Sequence, residues 1–163
     1  MLKHLLLGLW LSVFSLSAAA SPQTAKLWGT TASDLRTETA AHIASIDLGQ
    51  PLILSDTFAL NVYRFGRTSG ELAKWIDGTN GPNDLGCIFR GMSAEAEFQL
   101  EALEQAETAT LQREALRRLT SMFADAEMIA SAAQNRSPTP TLMPQTEKKS
   151  CQVDAQHVLQ ALN

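Results

Sequence analysis

Between Leu111 and Ala133 the apolar residues recur at three- and four-residue intervals: Leu111, Ala115, Leu116, Leu119, Met122, Phe123, Ala126, Ile129, Ala130 and Ala133. At ~100° per residue they fall on one arc of roughly 140°, a core-facing stripe on a helix. Arg113, Glu114, Arg117, Ser121 and Asp125 lie outside that arc, and Glu114 with Arg118 forms a favourable i,i+4 pair. Alanines at alternating three-four spacing predict close-packed antiparallel helices rather than a long free coiled coil. The segment before it opens at Ser93, a suitable N-cap, with Glu95 and Glu97 near the positive end of the dipole. Ala96, Leu100 and Leu103 share a face there, but Phe98 points almost opposite. Thr108 and Thr110 interrupt the helix formers. Residues 93–135 therefore read as two helices breaking near 107–110, or as one helix whose apolar face changes sides. Glu97, Glu101 and Glu104 align as an acidic stripe, read as a solvated face.

Upstream, Leu35, Thr39, His42, Ile43 and Ile46 share the apolar face of a helix running from 31–34 to Asp47, with Gly49 as a left-handed stop and Pro51 beyond. His42 thus lies at or beside the core, a candidate buried titrating group. Phe58, Val62 and Phe65 have helical spacing, while Phe58, Leu60 and Val62 also alternate as in a strand. Few β-branched residues and a cap at Ser55 favour helix. A second short helix is expected from Ser69 to Ile76. Residues 21–31 read as an extended leader with Trp28 its only large apolar group. Residues 137–149 form a Pro/Thr-rich linker, and 150–163 a terminal helix with Cys151, Ala155, Val158, Leu159 and Leu162 on one face. The expectation is an all-α fold of five or six helices, its domain spanning 32–136, with a C-terminal helix tied back by one disulfide.

Residues 1–20 change the setting. Lys3, an apolar run from Leu5 to Leu16 and small residues at 17–20 make a secretory signal peptide, cleaved after Ala20. Its removal takes away Lys3 and leaves 12 basic against 17 acidic residues, a net of −5. A mildly acidic exported chain lacks the electrostatic footprint of nucleic-acid binding. About 143 residues make one modest domain. No later stretch reaches the ~20 apolar residues of a membrane span, so no stable anchor is expected after cleavage and the location is periplasmic or secreted.

The candidate chemistry is sparse. Cys87 and Cys151, both in the exported part, are expected to pair, closing a loop of ~65 residues. Neither has the close cysteine or histidine companion that zinc requires, and no Cys-x-x-Cys-His run is present for haem. Asp77, Asn80 and Asp84 lie in an oxygen-rich turn, a candidate ligand or ion loop, although Gly81 breaks the EF-hand pattern. Arg64, Arg67, Lys74 and Arg90 concentrate basic charge near Tyr63, Phe65 and Trp75, and Arg64, Arg67, Trp75 and Arg90 form a candidate binding surface.

Nucleotide, Gly-x-Ser-x-Gly and His-Glu-x-x-His signatures are missing, and only His42 and His157 remain after export. No catalytic residue, metal or cofactor is assigned. The expected function is an exported helical interaction module, an adaptor, regulator or inhibitor acting by surface contact on another protein of the cell envelope. Two alternatives stand beside it. One is a periplasmic small-ligand or metal-binding protein using His42, Trp75 and the 77–84 loop. The other is a hydrolase using carboxylates such as Glu71 and Asp77.

Overall fold

The computed structural model describes residues 20–79, 81–134 and 151. Among them are four helices: α1 (Pro22–Asp47), α2 (Asp56–Gly78), α3 (Asn83–Gln105) and α4 (Ala109–Gln134). The closest pairs are α1 with α4 and α2 with α3; α3 with α4 and α1 with α2 complete a ring. Register shows that neighbours run antiparallel. Gly29 faces Ala130 while Asp47 meets Arg113, so α4 descends as α1 ascends. Likewise Gly66 faces Ala96 while Asp77 meets Arg90. Connections of three to eight residues between helices leave little room for any other arrangement.

Each local signal has a physical cause. Ser21 caps α1 by accepting from the Thr24 amide at 3.2 Å, and Pro22 sits in the first turn, where its missing N–H costs nothing. At the other end Gly49 adopts φ 74°, its N–H reaching the Ile46 carbonyl at 2.9 Å and that of Gln50 reaching Ser45 at 3.0 Å. This paired closure satisfies two orphan carbonyls and uses the left-handed residue expected there. Ser55 caps α2 through the Phe58 amide at 3.0 Å, and Thr108 accepts from the Leu111 amide at 3.3 Å.

The core is centred on one aromatic ring from each helix. Trp28 stacks on Phe65 with centroids 4.8 Å apart and meets the edge of Phe89 at 5.2 Å; Phe65 meets Phe123 at 5.0 Å. Trp28 Nε1 donates to the Phe65 carbonyl at 3.2 Å, so the indole is buried without an orphaned donor. That bond has a consequence on α2. Ser and Thr inside helices commonly turn their hydroxyl to the carbonyl four residues back, as Thr39 does to Leu35 and Thr120 to Leu116. For Ser69 that acceptor is Phe65, already engaged by Trp28 and by the regular helical amide. The fully buried Ser69 hydroxyl is left without a partner among the described residues.

Several sequence expectations need correction. Residues 22–31 are the first turns of α1 rather than an extended leader, because the Ser21-Pro22 pair is a helix start and Ala25, Trp28, Ala32 and Leu35 prolong the buried stripe. Asp56–Gly78 is one helix without the break expected at Ser69. Gly66 and Gly70, which suggest a break, instead let α3 approach: a Cβ on Gly66 would lie 2.9 Å from that of Ala96. Ser93 lies inside α3, which starts ten residues earlier, beyond Pro82. The break between α3 and α4 falls at 106–108. Leu111 is 55% exposed instead of joining its stripe. Five or six helices thus become four among the described residues. The signal peptide apart from Ala20, the 137–149 linker and the terminal helix apart from Cys151 lie outside those residues.

Candidate functional site

Among the described residues several places combine polar chemistry with access, including a recess of about 250 Å³ between α2 and α3 lined by Tyr63, Arg67 and Glu97; two others bear most on function. The first is a groove of about 570 Å³ between the C-terminal half of α3 and the first turns of α4. Small side chains make its floor: Ala102 and Ala106 on one side, the buried Ala115 on the other. Phe98 and Leu111 stand at its edges, 63% and 55% exposed, on helices whose other apolar side chains turn mostly inward. The rim is polar through Glu95, Glu114 and Arg118. The buried Gln99 donates to Glu95 at 2.9 Å, and Glu114 pairs loosely with Arg118 at 3.6 Å, so each pair is held within its own helix. An apolar trough with a mixed-charge rim suits the apolar face of a partner helix or peptide.

The second place is the corner where α2 ends and α3 begins. Cys87 and Cys151 are bridged there, with Cα atoms 5.5 Å apart, as the cysteine pattern predicts. Arg90 pairs with Asp77 at 2.6 Å and lies against both sulfurs. Gly86 leaves room for this group, since a Cβ there would fall 2.6 Å from Asp77 Oδ1.

The residues singled out in the sequence are dispersed. Arg90 is drawn into the disulfide corner, where it meets α2 at Asp77, beyond Arg64 and Arg67 in that helix, both of which are exposed. Arg67 reaches Glu71 at only 3.8 Å, and Trp75 is partly buried against the core. The structure therefore does not gather Arg64, Arg67, Trp75 and Arg90 on one surface patch. Of the proposed ion loop, Asp77 and Asp84 sit inside helices, Asp77 is engaged by Arg90, and Asn80 lies outside the described residues. Among the described residues no group of three or more His, Cys, Asp or Glu side chains is arranged to hold a metal ion. His42 is half-buried, edge-on to Phe58 at 5.0 Å, with Nε2 enclosed and without a partner among the described residues.

The groove is the feature sequence reasoning did not assemble. Half its signal is visible as Phe98 on the wrong face of its helix. The other half, Leu111, belongs by spacing to the apolar stripe of α4 and becomes exposed because that helix has only just begun. By fold and surface the described residues form a four-helix antiparallel bundle with an open apolar groove and a stapled corner. Compared with family models, curated proteins and solved structures, the chain matches none.

Proposed function

We propose that this protein is an exported helical interaction module, and that it engages a partner protein of the cell envelope through the groove between α3 and α4. The observation that carries this reading is Phe98. A phenylalanine 63% exposed at the edge of an apolar trough costs solubility and contributes nothing to the core, so its use is sought in a contact. Export rests on residues 1–20 and is compatible with a disulfide and with the described helices, none of which is long and apolar enough to cross a membrane. A chain cut after Ala20 retains Ser21, the cap of its first helix.

Site-specific photocrosslinking tests both parts. A photoreactive phenylalanine analogue is placed at Phe98, with an equivalent at the exposed Thr30 on α1 as control. Expression is in a host whose exported fraction can be separated. The expected result is a discrete protein adduct from position 98 and none from position 30, on a chain whose mass begins at Ser21. Equal labelling from both positions, or a mass retaining Met1, overturns the proposal.

A further inference from the structure

Arg90 holds the disulfide in an unusual way. Its Nη2 donates to Cys151 Sγ at 2.9 Å and to Cys87 Sγ at 3.4 Å, while Nε donates to Cys151 Sγ at 3.2 Å. A disulfide sulfur is a weak acceptor and gains little from a cation; a thiolate gains much more, because the bond becomes charge-assisted. The arrangement therefore favours the reduced state over the oxidised one that it contacts. Arg90 and Cys87 lie one turn apart on α3, so their contact survives opening of the bridge, whereas Cys151 belongs to a separate segment. Cys151 is exposed and open to attack, and Cys87 is only partly so. Two carboxylates act against the thiolate: Asp77 of α2, which fixes Arg90 Nη1 at 2.6 Å, and the exposed Asp84 one turn before Cys87.

We propose that the Cys87–Cys151 bridge is an exchange-reactive disulfide, opened when an external thiolate attacks Cys151 and Cys87 leaves as a thiolate held by Arg90. In the first step a bond forms between the attacking sulfur and Cys151 Sγ while the bond between Cys151 Sγ and Cys87 Sγ breaks. Its electron pair remains on Cys87. The second thiol of a dithiol reductant, deprotonated, then attacks its own sulfur in the mixed disulfide and displaces Cys151 as a thiolate, which takes up a proton. The protein gains two electrons and the reductant departs as its own disulfide. Opening removes the cross-link that ties Cys151 to α3 and leaves Cys151 joined to the helices through the backbone alone, so the corner acts as a redox-controlled tether. This inference is independent of the groove.

The test equilibrates the oxidised full-length mature chain with graded ratios of reduced to oxidised dithiothreitol, followed by alkylation and intact-mass reading. Arg90→Met is expected to need about tenfold more reductant for half-reduction, because the leaving thiolate loses its charged donor. Asp77→Asn is expected to shift the ratio the opposite way, since the guanidinium is no longer neutralised. A second readout uses Cys151→Ser, in which the pH of half-maximal alkylation at Cys87 should rise by about one unit when Arg90→Met is added. Arg90→Lys, which retains a cation at shorter reach, should fall between the two and stands in if the methionine variant loses its helical circular dichroism. Unchanged half-reduction ratios and an unchanged alkylation profile across these variants overturn the proposal.

Discussion

Helix α4 has two packed flanks, and they are built differently. Against α1 it offers Ala126, Ala130 and Ala133, all buried, to Ala25, Gly29 and Ala32, and the backbones approach until a Cβ on Gly29 would sit 2.5 Å from that of Ala130. Charged residues flank this seam: Arg36 binds Glu127 through Nε at 2.6 Å and Nη2 at 3.3 Å, and Arg113 reaches Asp47 at 2.8 Å. Against α3, alanines again form the floor, but Phe98 and Leu111 stand outside it and the space between the helices stays open. Small residues permit close approach; they do not impose it. Where both helices present them at matching heights the gap closes, and where large side chains sit only at the margins a groove remains.

The largest expected effect comes from the ring at which all four helices meet. Trp28→Ala should cost about 3–5 kcal/mol by chemical denaturation, and a loss below ~1 kcal/mol would mean the first turns of α1 are not part of the core. Next comes the seam itself. Gly29→Leu should destabilise by about 1–3 kcal/mol through overpacking. Gly29→Ala should also lose stability despite alanine's better helix propensity, and adding Ala130→Gly should restore part of the loss. A strictly additive double mutant would show that the two residues do not touch.

Smaller and opposite in sign is Ser69→Ala, which removes the orphaned hydroxyl and should stabilise the bundle by about 1 kcal/mol. A destabilised variant would place an acceptor beside that hydroxyl. The smallest expected change is at the open flank: Phe98→Ser should stay within about 0.5 kcal/mol of the parent while losing partner binding. If it unfolds the protein instead, Phe98 is core and the groove closes in solution.

Much of this fold is legible along the chain. The stripe from Ala115 to Ala133, the Gly49 stop, the Ser55 cap and the pairing of Cys87 with Cys151 all follow from local spacing or from simple counting. The expectations that fail do so where a residue has two meanings. Pro22 can break a helix or begin one, and Gly66, Ser69 and Gly70 weaken a helix unless a neighbouring backbone needs the room. In α2 the packing against α3 outweighs a propensity cost of about 1 kcal/mol per glycine. The basic residues scatter for a related reason: Arg90 has a carboxylate and two sulfurs within reach, and no spacing rule shows that Asp77 lies opposite it.

What the sequence by itself determined is the helical class, the staple and the faces that must be buried, because 3.6-residue periodicity and redox chemistry act along the chain. The tertiary structure decided where helices run on through glycines, which alanines meet, that Phe98 and Leu111 frame one groove, and that Arg90 rests on the disulfide. Those outcomes depend on distances between residues remote in sequence, and such distances exist only once the four helices have packed.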